Sequence, residues 1–77
     1  MFETFDLGLA AALISKGQEL HDMTSEGKKY KFVFEEEKEC KEMADGYWND
    51  TVKVPARKYF DTVKMLKNRM YSSYHAN

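Results

Sequence analysis

One cysteine, one proline and four glycines in 77 residues leave this chain few means of stapling or bending itself. With Cys40 alone, no internal disulfide can form, which favours a reducing compartment and leaves packing or self-association to hold a small core. No basic leader is visible either. The first residues, Met1-Phe2-Glu3-Thr4-Phe5-Asp6, carry acids, and the longest apolar stretch, Leu7 to Ile14, is too short to span a bilayer. These absences point to a cytoplasmic protein, neither exported nor inserted in a membrane. Repeats, low-complexity tracts and flexible linkers are lacking too, and a chain this short buries only roughly 60% of its unfolded surface, so residues 1–77 read as a single domain. What is present is ordinary for a globular protein, at 43% apolar and 32% charged residues, with enough aromatic content (14%) to exclude disorder.

Net charge is −1, but residues 1–50 hold 12 acids against 6 lysines, and residues 51–77 hold 6 Lys/Arg against one acid. The two parts carry about −6 and +5. Such polarity can bind a partner, close on itself inside the fold, or pair head to tail between copies.

Leu7, Ala10, Ala11 and Ile14, widened by Leu9 and Leu13, repeat at helical spacing after a capping Asp6 and before Lys16-Gly17, which predicts a first helix over Asp6 to Lys16. Gln18 to Thr24 and Lys29 to Glu35 flank the polar Ser25-Glu26-Gly27-Lys28 and read as an antiparallel hairpin. In its second strand Tyr30, Phe32 and Phe34 alternate with Lys29, Lys31 and Val33, giving one buried aromatic face and one mostly basic, solvated face. Leu20 is the best inward residue of the first strand, whose register at His21, Asp22 and Met23 stays ambiguous. Cys40, Met43, Ala44, Tyr47 and Trp48 form the stripe of a second helix, Glu36 to Trp48, with Glu35, Glu36 and Glu37 where a helix start favours acids. After the extended link Thr51 to Val54, Pro55 opens a third helix to Ser73 with a stripe of Tyr59, Val63, Leu66, Met70 and Tyr74, and the last three or four residues fray. The fold class is α+β. Its order is α-β-β-α-α, a hairpin edged by Phe2–Thr4 or Val52–Val54 and covered by three helices.

The ordered set Thr4-x-Asp6-Leu7-x-Leu9-Ala10-Ala11-x-Leu13, Phe32-Val33-Phe34-Glu35, Tyr47-Trp48-Asn49, Val54-Pro55-x-Arg57-x-Tyr59-Phe60 and Leu66-Lys67-x-Arg69 resembles a family of short domains of unknown function from Gram-positive bacteria, their phages and mobile elements. The likeness spans nearly the whole chain and departs from the pattern in the more polar Gln18 to Met23 strand. It implies a phage or mobile-element setting and brings no catalytic residues.

His21, Cys40 and His75 are the soft metal ligands, and no two have ligand spacing, so no metal or cofactor is expected. Cys40 sits in a buried stripe, where a lone cysteine behaves as a small hydrophobe. The acids Glu35, Glu36, Glu37, Glu39 and Glu42 lack a desolvated pocket to split their pKa values, and read as a solvated helix start or as a patch for a basic partner. On the third helix Arg57, Asp61, Lys64, Asn68 and Tyr71 line the face opposite the core stripe, with Lys58 beside them. Such a face can hold phosphates and stack a base, although an Arg57/Asp61 pair one turn apart also suits a plain solvated helix. Trp48, Asn49, Arg57 and Tyr59 flank the link between the last two helices and belong to types found in protein-binding hot spots. Helical phase assigns Trp48 and Tyr59 to the core instead.

No Ser/His/Asp or Cys/His constellation and no phosphate-binding glycine loop is present, so an enzyme is not expected. The expected function is a non-catalytic interaction module that binds another protein as regulator or inhibitor. Trp48, Asn49, Arg57, Lys58, Asp61, Lys64, Asn68 and Tyr71 are its candidate contacts, and a homodimer through the third helix is expected. The alternative is a nucleic-acid accessory protein binding through the same basic helix.

Overall fold

The computed structural model describes residues 1–75. Its elements run β1 (Phe2–Thr4), α1 (Leu7–Ser15), β2 (Leu20–Glu26), β3 (Lys29–Phe34), α2 (Glu37–Trp48) and α3 (Ala56–His75), the α+β class read from the sequence. Of the two edge segments considered, Phe2–Thr4 forms the third strand, and the antiparallel sheet has the order β1-β3-β2.

Local chemistry sets the ends of α1. The Asp6 carboxylate accepts the Leu9 N–H at 2.8 Å, filling one of the donors that a helix start leaves open. At the other end Gly17 adopts φ 102°, its N–H reaches the Ile14 carbonyl, and the Gln18 N–H reaches the Leu13 carbonyl, which together make a Schellman stop.

The hairpin is tighter than its polar connection suggests. Glu26 pairs with Lys29, so the turn is only Gly27-Lys28, with Gly27 supplying the positive φ of 66°. A bulge between Leu20 and Asp22 explains the ambiguous first strand. Leu20 pairs with Phe34 and Met23 with Phe32, so residues three apart share one face because His21 is the extra residue. Phe2 and Thr4 of β1 face the same side, opposite Phe34 and Phe32.

Phe32 and Phe34 pack there against Leu9, Ala10, Ala11 and Leu13 of α1, Cys40 and Ala44 of α2, and Leu66 of α3. The alanines of α1 let neighbouring helices come close, and α1 packs against both α2 and α3. On the outer face Lys31 bridges Glu26 (2.8 Å) and Glu3 (3.6 Å), an ion-pair row across all three strands. That face is less solvated than its lysines imply, since Val33 is only 7% exposed between its partners Glu3 and Asp22 on the middle strand.

In α2 the expected stripe holds for Cys40, Met43, Ala44 and Tyr47 but not for Trp48, which is 63% exposed. Trp48 lies about 100° around the helix from Tyr47, at the last residue, and turns off the core's margin. Along α3 Tyr59, Val63, Leu66 and Met70 face inward as expected, joined by the buried Thr62, whose hydroxyl bonds back to the Lys58 carbonyl at 2.7 Å. The helix continues two residues beyond the expected Ser73; the last two residues of the chain, expected to fray, and the side chains of Tyr74 and His75 lie outside the described residues.

Candidate functional site

Three features meet on α3. First, Arg57, Lys58, Asp61, Lys64, Asn68 and Tyr71 are all exposed, as their helical phase requires. Arg57 and Asp61, one turn apart, form no ion pair among the described residues, and neither do Lys58 and Arg69. Second, large apolar side chains stand beside these cations: Phe60 is 61% exposed, Tyr71 67% and Met65 38%. The Lys64 ammonium sits 5.4 Å from the Phe60 ring centroid, a cation–π arrangement.

Third, two open hollows run along one flank of the helix. One of about 610 Å³ is lined by Pro55, Arg57, Lys58, Asp61, Thr62 and Met65. The other, of about 600 Å³, lies between the helix and β2, where Met65, Asn68, Arg69 and Ser72 face Met23. Met65 borders both, so the two hollows adjoin end to end as a shallow trough along the helix. Phe60, Met65 and Arg69 are not among the candidate contacts read from the sequence, although Phe60 and Arg69 occur in the motifs of the family resemblance. Met65 follows Asp61 by four and Thr62 by three, a spacing that marks this second flank, but the contribution of Met23 comes from another element and has no local signal.

The far end of the expected edge, at the close of α2, is arranged differently from the sequence reading. Trp48 stacks edge-on against Tyr47, with centroids 5.1 Å apart and planes at 80°, and no cation lies over its ring among the described residues. Asn49 ends α2 through its N–H to the Asp45 carbonyl, and Asp50 follows at φ 59°. Tyr59, whose phase assigns it to the core, is half-buried there. Its hydroxyl donates to the Gly8 carbonyl at 3.3 Å.

Tyr47 and Tyr59 converge on the first turn of α1 beside Asp6. The Tyr47 hydroxyl is pushed up to about 12, first by burial, then by its hydrogen bond to Tyr59 and by the negative charge of Asp6. It therefore stays neutral through the physiological range and acts as a fixed hydrogen-bonding group. Burial also pushes the Cys40 thiol up, helped by Glu39 and Glu36, which disfavours the nucleophilic thiolate. Lys31 is raised by its hydrogen bond to Glu26, with Glu3 adding to the effect.

The acids at the start of α2 border a hollow of about 390 Å³ with Gln18 and Glu19, where Gln18 donates to Glu39 at 3.0 Å. His21 lies 3.3 Å from Glu35. Among the described residues no three His, Cys, Asp or Glu side chains are placed to hold a metal ion, and no helix is long and apolar enough to cross a membrane.

A family model described as a domain of unknown function, DUF5659, matches residues 1–72. No curated protein and no solved structure matches the chain.

Proposed function

Because the chain belongs to the DUF5659 family, from which no activity follows, we propose from its surface that it is a non-catalytic interaction module. It binds another protein as a regulator or inhibitor in a phage or mobile-element setting. The observation that supports this reading is that α3 exposes apolar side chains on two flanks, Met65 beside Lys58 and Arg69 on one and Phe60 and Tyr71 on the other, with Arg57 at the helix start. Exposed apolar side chains grouped beside arginines are the ingredients of a binding patch, and an isolated solvated helix has no use for them. Trp48 at the end of α2 adds a second aromatic contact. The same apolar surface pairs two copies of the chain at moderate concentration through Phe60 and Tyr71.

A second reading has its own support in the Lys64 and Phe60 contact, since a cation beside an exposed aromatic ring is how single-stranded nucleic acid is gripped. Retention of tagged protein's partners from a host lysate, with and without nuclease, separates the two. A protein that stays after nuclease and is lost with Phe60→Ala and Met65→Glu supports the first reading. Retention that disappears with nuclease, and a wild-type shift of labelled DNA or RNA abolished by Arg57→Glu with Lys64→Glu, overturns it. Light scattering at about millimolar protein tests the pairing of copies, and a strictly monomeric mass there refutes it.

A further inference from the structure

We infer that the trough along this flank of α3, which meets the edge strand β2 at Met23, receives an acidic, amphipathic helix of a partner protein. This rests on the interaction-module reading above and names the chemistry of the partner.

The trough lies on α3 along its whole length and meets β2 only at Met23, and each of these two sides limits what can enter. β2 is an edge strand, and an edge strand ordinarily invites another strand to pair with it. Here that invitation is withdrawn. Glu26 and Lys29 close a two-residue turn and bond to each other; in an antiparallel ladder Thr24 and Asp22 then also bond inward, leaving the Met23 N–H directed outward. The Asp22 carboxylate already takes that N–H at 2.8 Å. The bulge at His21 breaks the run just before it. An incoming strand would lose its central donor and meet a carboxylate, whereas a helix satisfies its own backbone and needs no edge.

The floor and rim describe that helix. Met23 and Met65 form the floor, and thioether side chains adapt to whatever apolar group presses on them. Arg57 and Lys58 stand at one end and Arg69 at the other, with no ion pair inside the chain among the described residues, against the single acid Asp61. Unsatisfied guanidinium groups pair with carboxylates by charge-assisted, two-pronged hydrogen bonds. From Lys58 to Ser72 the trough extends about 21 Å, enough for about four turns of a partner helix. A nucleic acid fits less well, because its bases would find sulfur chains where they need flat rings, and Phe60 and Tyr71 stand on the opposite flank of α3.

The test uses the intact chain with methionine methyl groups labelled for NMR. The probe is a synthetic helix of about four turns with leucine at every third or fourth position and glutamate between. Two twins serve as controls, one with lysine for glutamate and one with serine for leucine. The expected result is saturable movement of the Met23 and Met65 methyl signals with the acidic leucine peptide only. Arg57→Glu and Arg69→Glu should each weaken binding about tenfold, the size of one lost charge-assisted bond. Met65→Ser should weaken it comparably while circular dichroism remains that of the wild type. Equal binding of the lysine twin, equal binding of the serine twin, or movement of the same signals by a DNA oligonucleotide overturns the inference. So do methionine signals that stay still at about millimolar peptide, the weak end of specific association. If they stay still while a nuclease-resistant partner is retained from lysate, this inference alone falls and the interaction-module reading stands.

Discussion

Gly8→Ala should destabilise the protein even though it introduces a better helix former. In an open helix the exchange gains up to about 1 kcal/mol. At this position a Cβ would stand 2.5 Å from the Tyr47 hydroxyl and 3.1 Å from that of Tyr59, closer than atoms in ordinary contact. Moving Tyr47 aside crowds Tyr59, whose hydroxyl anchors α3 to the Gly8 carbonyl. Overpacking of this kind costs about 1–3 kcal/mol, and a disturbed part-buried hydrogen bond adds about 1 kcal/mol. The net loss is then about 1–3 kcal/mol, which for a domain this size lowers Tm by roughly 4–8 °C per kcal/mol. Urea unfolding followed by far-ultraviolet circular dichroism measures it. Repeating the substitution in a Tyr47→Phe background removes the nearest oxygen, so the cost of the alanine there should shrink by about 1 kcal/mol, a coupling that a double-mutant cycle isolates. Gly8→Ala as stable as wild type, or a cost unchanged in the Tyr47→Phe background, would refute the argument.

Three further outcomes are expected. Asp22→Val removes the carboxylate from the Met23 N–H and should cause strand-mediated self-association, visible as a rise in mass by light scattering and in thioflavin binding, whereas Asp22→Asn, which keeps an acceptor, should behave as wild type. Tyr47 has a folded pKa of about 12 against 10.0 for a free tyrosine, so between those values the folded state holds a proton that the unfolded chain has lost. Its contribution to stability is complete below pH 10 and declines as pH rises toward 12. Phenolate absorbance of wild type against Tyr47→Phe reads this directly, and ionisation of Tyr47 near 10 in the folded protein would contradict it. Cys40, fully buried with its thiol pKa raised, should react with a thiol reagent only at the rate of unfolding; immediate modification in the folded state would show the burial to be wrong.

The elements written in local spacing were legible without coordinates. Asp6 and Gly17 bracket α1, the alternation of Tyr30, Phe32 and Phe34 marks β3, and Pro55 sets the start of α3. What resisted reading depends on partners far along the chain. Phe2–Thr4 and Val52–Val54 are equally extended in sequence, and the choice falls to the segment whose alternate residues can share a face with Phe32 and Phe34. Val52 and Val54 instead line a hollow with Tyr47 and Tyr59. The bulge at His21 shifts the phase within β2, so no strict alternation exists there to be found.

The candidate site was half legible for the same reason. A helical wheel finds Arg57, Asp61, Lys64, Asn68 and Tyr71 because one helix carries them all. The trough needs Met23 from β2 opposite Met65, and the tyrosine pair needs Tyr47, Tyr59 and Gly8 from three helices, which no window of sequence contains. Trp48 sits at the margin of its helical stripe, where phase alone does not decide between core and solvent.

The sheet order has a consequence for how the chain is made. Phe2 must find Phe34, and the carbonyl of Gly8 must wait for the hydroxyl of Tyr59. On a ribosome the first strand and the alanine-rich helix therefore emerge with their partners still unsynthesised. Leu9 and Leu13, among the most deeply buried side chains of the finished protein, spend that interval uncovered. The β2–β3 hairpin is the one pairing that can close early, since its two strands are neighbours in the chain. The time taken to translate from the hairpin through the last helix then sets how long the nascent chain is open to aggregation or chaperone capture.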